Sequence, residues 1–195
     1  MKKWFFILLF FALTACDEPT NKLDENTIIN AELTEREKVI LSTTSEQSFV
    51  FDFNMDEHYH QASVWVEKYQ SGKLTDDKVS YISTEVKDKG SIIFASSKSS
   101  ENSAESMFHI SISSDGSTGT VSNTEMMLEK DTAVTWGTNP DIDISEEVVL
   151  ASICLKGDTG AMSSLSEDFY KDVEGNIGEL KEYDVVYLVK GKFSE

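Results

Sequence analysis

Residues 108–128 read FHISISSDGSTGTVSNTEMML, and this stretch decides the fold class. Phe108, Ile110 and Ile112 alternate with His109, Ser111 and Ser113. A period of two puts the apolar set on one face of a strand and the polar set on the other. Asp115-Gly116-Ser117-Thr118-Gly119 then interrupts the pattern with residues that tolerate positive φ, as a hairpin turn requires. Residues 121–128 supply the returning strand.

The same rhythm spreads outward on both sides. Phe49, Phe51 and Phe53 alternate with Val50, Asp52 and Asn54, and Ala62, Val64 and Val66 alternate with Ser63, Trp65 and Glu67. Val79, Tyr81, Ser83 and Glu85 follow a turn at Ser71-Gly72-Lys73, and Ile92, Ile93 and Phe94 make a further short apolar run. Residues 148–155 are almost continuously apolar, which predicts a central strand buried on both faces. Residues 183–189 close the chain with a β-branched run. Eight or nine short strands separated by turns predict a mainly β chain, an antiparallel β-sandwich or barrel-like sheet. An α+β sheet with a helix on one face is the alternative. Helix signals are few. Thr34-Glu35-Arg36-Glu37 has the form of a capping box and starts a short helix ending near Ser42, with Ile29, Leu33 and Ile40 sharing a face. Ser166 is an N-cap for a second short helix over residues 166–173. Ser-rich residues 96–106 predict a loop, and Trp136-Gly137 lies near a turn.

The chain has 195 residues and a formal charge of −18. That length suits one domain, and the acidic balance argues against a nucleic-acid partner. Two cysteines are too few for a disulfide scaffold. No phosphate-binding G-x-x-x-x-G-K-[ST] and no G-x-S-x-G elbow occurs, and no cofactor is implied.

The N-terminus is different in kind. Lys2 and Lys3 precede WFFILLFFAL at residues 4–13, a run shorter than the roughly 20 residues of a spanning helix and suited to a signal-peptide core. Leu13-Thr14-Ala15-Cys16 follows. This resembles the lipobox of bacterial lipoproteins, and through it the chain resembles small Bacillus-type lipoproteins. The resemblance implies removal of residues 1–15 as a signal peptide and diacylglycerol on Cys16, the new N-terminus. The charge would then move from −18 to −20 with the loss of Lys2 and Lys3. Acyl chains hold a protein on a bilayer at about 0.8 kcal/mol per buried CH₂. Asp17 resembles an inner-membrane retention residue of Gram-negative lipoproteins. The expected location is the outer face of the cytoplasmic membrane, anchored by lipid. Residues 16–27 are expected to be the lipidated Cys and a polar tether, and residues 28–195 a single mainly β domain.

Candidate chemistry in that domain is sparse. His58-Tyr59-His60 would place two imidazoles on one face of a strand, where they could share a metal with Asp56 or Glu57. A solvated strand end carrying two ordinary histidines is the competing reading. Asp52, Asn54 and Asp56 open like a calcium-binding EF-hand loop, but Glu57 and Ser63 stand where Gly and Glu are needed. Asp141-Ile142-Asp143 is a loose acidic pair. Asp158-Thr159-Gly160 has the three-letter core of an aspartic protease without a second copy, and ordinary turn chemistry accounts for it. Cys154 lies among apolar residues and is expected to be a buried, inert thiol. Trp65 and Trp136 would stack on a sugar or a partner if exposed, and pack in the core if not. The expectation is a monomeric binding module for a protein, glycan or cation, and no catalytic residue is assigned. A metal-dependent hydrolase using His58 and His60, or an acidic inhibitor or immunity protein for a basic partner, are the alternatives.

Overall fold

The computed structural model describes residues 23–98, 105–126, 132–144, 147–157 and 161–195. The predicted position of Cys16, the Asp158-Thr159-Gly160 turn and residues 127–128 lie outside the described residues.

Among the described residues ten strands form two antiparallel five-stranded sheets. In chain order they are β1 (Thr27–Asn30), β2 (Gln47–Asn54), β3 (Gln61–Gln70), β4 (Lys73–Glu85), β5 (Lys89–Lys98), β6 (Glu105–Ser114), β7 (Ser117–Met126), β8 (Ala133–Thr138), β9 (Val148–Lys156) and β10 (Val185–Ser194). The first sheet has the order β1-β2-β5-β6-β7 and the second β4-β3-β10-β9-β8. The fold is mainly β and sandwich-like, with no closed barrel. Its helices are α1 (Glu35–Ser42), α2 (Glu167–Lys171), α3 (Val173–Asn176) and a 3₁₀ segment, Ile177–Glu182.

The alternating residues face one another across the sandwich. Phe49, Phe51 and Phe53 of β2, Ile92 and Phe94 of β5, and Phe108, Ile110 and Ile112 of β6 line the first sheet. Ala62, Val64 and Val66 of β3, Ile153 and Leu155 of β9, and Val185, Tyr187 and Val189 of β10 line the second. Ring edges interlock where the sheets meet: Phe108 and Tyr187 lie 5.0 Å apart at 85°, and Phe53 and Phe193 5.0 Å apart. Burying each such side chain is worth about 1.5–3 kcal/mol, so this layer carries the stability.

Both sheet margins are closed by contacts rather than by a continuous ladder. On one side Ile28 of β1 bridges Ile142, and Asn30 Nδ2 donates to the Asn139 carbonyl at 2.8 Å. On the other Asn123 of β7 donates to the Val79 carbonyl of β4. Covering edges in this way protects strands from pairing with other chains. One polar tie crosses the interior: Glu125 of β7 accepts from Lys68 Nζ of β3 at 2.8 Å and from Tyr187 Oη at 3.2 Å.

Both expected turns form, but each is two residues long: Ser117, Thr118 and Gly119 already belong to β7 and Lys73 to β4. Asp115 and Gly116 both have positive φ, 49° and 75°, as do Ser71 and Gly72, 49° and 77°. β9 is buried on both faces and flanked by β10 and β8. Thr34 caps α1 through a complete capping box with Glu37, and Ser166 caps α2.

Four expectations are corrected. No residue of α1 is buried, and Ile29 and Ile40 are 41% and 55% exposed, so that shared face covers no core. The capping box accounts for the helix without it. Ser96 and Ser106 are buried strand residues paired to Phe108 and Lys98, so the Ser-rich loop is shorter than its composition indicates. Trp136-Gly137 is in strand β8, paired to Ile153-Ser152 of β9. Finally, His58 and His60 lie in the 55–60 turn between β2 and β3, not on a strand.

Candidate functional site

An open groove of about 1170 Å³ lies on the second sheet's side of the molecule. Its walls are the β8–β9 connection, with Asp141, Asp143 and Glu147, and the α2–α3 corner, with Tyr170, Asp172 and Glu174. Lys190 and Lys192 reach it from β10.

Asn139 shapes the first wall. It ends β8 and is 1% exposed. Its Nδ2 donates to the Val149 carbonyl at 3.0 Å, its backbone N–H donates to the Leu150 carbonyl at 2.9 Å, and its Oδ1 accepts from the Asp141 N–H at 3.0 Å. An Asx turn of this kind turns the chain away from the sheet and presents Asp141 and Asp143 outward. Asp172 shapes the other wall by capping α3, its Oδ1 accepting from the Gly175 N–H at 2.9 Å. Tyr170 is anchored beneath by a 2.8 Å hydrogen bond shared with Ser152 of β9. Burial pushes its phenol up to about 12, so it stays protonated at neutral pH. Gly137 leaves the space for this contact, since a Cβ there would lie 2.5 Å from Tyr170 Oη.

The groove's lysines are held by carboxylates. Lys190 Nζ lies 3.0 Å from Glu67 Oε1 and 3.6 Å from Glu147 Oε2, and Lys192 Nζ is 4.0 Å from Glu147 Oε1. Glu67 sits on β3 between Trp65 and Tyr69, facing away from Val64 and Val66. It accepts from Trp65 Nε1 at 3.3 Å and Tyr69 Oη at 2.8 Å as well as from Lys190. Burial, and then the Glu67 carboxylate itself, raise the Tyr69 phenol pKa, so Tyr69 remains a donor. Lys190 also lies 5.6 Å from the centre of the Trp65 ring. The result is a cation with fixed partners on one wall and outward carboxylates on the others. That arrangement suits recognition of a polar, charge-bearing ligand.

The residues singled out from sequence are scattered. His58 Nδ1 is 3.2 Å from Asp56 Oδ1 and its side chain is 73% exposed; His60 is exposed nearby. His109 shares a 2.7 Å hydrogen bond with Ser122 across β6 and β7, away from that turn. Among the described residues no group of three His, Cys, Asp or Glu stands together to hold a metal. Asp52 and Asn54 belong to strand β2, where Asp52 accepts from Ser91 at 2.7 Å. Cys154 is fully buried on the face of β9 under α2, and burial pushes its thiol up to about 12. Trp65 is buried beside Glu67, and Trp136 packs 6.0 Å from Phe49.

Glu67, Asn139, Glu147, Lys190 and Lys192 were not singled out from the sequence. One signal was available: Lys190 and Lys192 alternate with Val189, Gly191 and Phe193, marking a polar side on a strand otherwise apolar on both faces.

Ten strands in two sheets with a charged surface groove define a β-sandwich module. The YgaN domain family matches residues 27–193, and the chain belongs to that family. No curated protein and no solved structure matches it. Among the described residues no helix is long and apolar enough to cross a membrane.

Proposed function

We propose that this is a lipid-anchored binding module of the bacterial cell envelope, held at the outer face of the cytoplasmic membrane through Cys16. The observation that carries the reading is the lipobox, Leu13-Thr14-Ala15-Cys16, behind a short apolar run and a few residues ahead of a β-sandwich. The groove beside Lys190 and Lys192 is the binding surface, and a protein or glycan is the ligand class. Support comes from its size, its Asn139-pinned wall and the exposed side chains of Asp141 and Asp143.

Intact-mass analysis of the protein from native membranes tests the anchor. The expected mass lacks residues 1–15 and carries acyl chains on Cys16; an unmodified chain overturns the reading. Capture of envelope components on the soluble domain, compared with an Asp141→Lys/Asp143→Lys variant, tests the groove. Equal capture by both removes the groove from the proposal. Native mass spectrometry of the same domain reads any bound metal, and a stoichiometric ion lost in a His58→Ala/His60→Ala variant would favour the hydrolase reading instead.

A second reading is an inhibitor or immunity protein for a basic partner. Asp141, Asp143, Asp172 and Glu174 on the groove walls favour it, together with the charge of −18. Association would then weaken steeply between low and physiological salt. Salt-insensitive binding argues against it.

A further inference from the structure

We propose that the anchored molecule presents one particular end of the sandwich to the bilayer: the end formed by the 55–60, 86–88 and Asp115-Gly116 turns. The proposal rests on acylation of Cys16 and goes on to say which surface faces the lipid.

Residues 23–26 are bound to the domain. Asn54 Nδ2 donates to the Leu23 carbonyl at 2.9 Å and the Asp24 carbonyl at 3.0 Å. Thr27 Oγ1 donates to the Asp24 carbonyl at 2.7 Å. Asn26, in the left-handed region at φ 58°, grips Asp56 twice: its Nδ2 donates to Asp56 Oδ2 at 2.8 Å, and its Oδ1 accepts from the Asp56 N–H at 2.9 Å. The leash between lipid and domain is therefore residues 16–22, a contour of at most about 25 Å.

Every one of these contacts is at the same end. Thr27 pairs with Asn54, which pairs with Lys89, and the Met55 N–H donates to the Asp88 carbonyl. Ser114 Oγ, one residue before the β6–β7 turn, donates to the Lys87 carbonyl at 2.7 Å. Helix α1 leads into the opposite end of β2, at Gln47. Strand β2 spans eight residues from Gln47 to Asn54, seven steps of strand or about 23 Å at the usual rise. The α1 end thus reaches the headgroups only if residues 16–22 use their whole contour along the sandwich wall, whereas the near end needs none of it. The near end carries Glu57, Asp88 and Asp115 beside Lys87 and Lys89, so the leash rather than charge attraction sets the distance. Asn26 also lines the groove, which therefore opens on the membrane-proximal half.

The test uses liposomes containing a phospholipid with a photoreactive diazirine headgroup, and two forms of the chain beginning at Cys16. One is the acylated protein from native membranes; the other is coupled through the Cys16 thiol to a maleimide phospholipid. Cys154 is buried and does not compete. Peptides covering residues 55–60, 86–89 and 115–116 are expected to crosslink several-fold more than those covering residues 35–46. Equal yields, or an excess at the α1 end, overturn the proposal. A Gly/Ser insertion of about 20 residues between Lys22 and Leu23 should even out the pattern, because the leash then spans the molecule. A bias that survives the insertion overturns the leash as its cause. If native Cys16 carries no acyl chain, the anchor reading fails on its own, while the coupled chain still reports the orientation.

Discussion

Glu67 of β3 and Lys190 of β10 form a 3.0 Å ion pair whose side chains are only 11% and 17% exposed. The pair lies on the outer face of the second sheet, where Trp65 and Tyr69 also donate to the carboxylate. Full satisfaction of the carboxylate makes the burial tolerable; loss of one partner does not. Glu67→Leu is expected to destabilise the fold by about 3 kcal/mol, because Lys190 keeps its charge with only Glu147 nearby. Glu67→Leu/Lys190→Met should recover a large part of that loss. Urea unfolding of the three chains measures both effects. A single variant as stable as the parent would mean the pair does not shape this wall.

Ser80 presents the opposite case. Its hydroxyl is buried on the inward side of β4 with no hydrogen-bond partner among the described residues. Ser80→Ala removes an unsatisfied polar atom and is expected to raise stability by up to about 1 kcal/mol. A loss of stability on thermal or urea unfolding would show that the hydroxyl is satisfied in solution.

Cys154 is expected to be silent. Its thiol is buried under α2 and its pKa is pushed to about 12, chiefly by burial. The native domain should therefore resist a thiol-reactive disulfide reagent at pH 8, and react at once in denaturant. Fast reaction of the native domain would place an opening of the α2 segment on the experimental timescale.

The Asn26–Asp56 clamp should weaken only in acid. The hydrogen bond from Asn26, and then that from the His58 N–H, hold the Asp56 carboxyl below its ordinary value. A carboxyl lowered in the folded state contributes stability above its unfolded pKa of about 3.9, and loses it as pH falls through the lower folded value. The Asp56 and His58 amides should stay protected from hydrogen exchange at pH 5 to 7 and lose protection below pH 4. Asp56→Ala should expose them across the range. Protection unchanged in that variant would mean residues 23–26 are held by Asn54 and Thr27 without the clamp.

Much of the architecture was legible because strand period, turn chemistry and caps are local. Phe49, Phe51 and Phe53 announce an inward face through spacing alone, and Asp115-Gly116 announces its turn through tolerance of positive φ. The two N-caps, Thr34 and Ser166, follow from hydrogen-bonding distances within four residues. Local reasoning failed where burial depends on distant chain. Ile40 has the residue type of a core position, yet it is 55% exposed and no residue of the helix carrying it is buried. Trp136-Gly137 reads as a stretch near a turn, whereas it pairs inside β8 and Gly137 admits Tyr170 from 33 residues away.

The groove shows the same division. Local pattern was enough to establish an acidic, mainly β domain, since charge and alternation need no partner to be read. Strand order was not legible, because a period of two says which way a side chain points but not which strand lies beside it. Pairing β10 between β3 and β9 is what brings Lys190 to Glu67, 123 residues earlier in the chain. The Asx turn at Asn139 and the cap at Asp172 then set carboxylates around it. A site assembled from four separate stretches of chain comes from sheet pairing and packing energy, and those are long-range quantities.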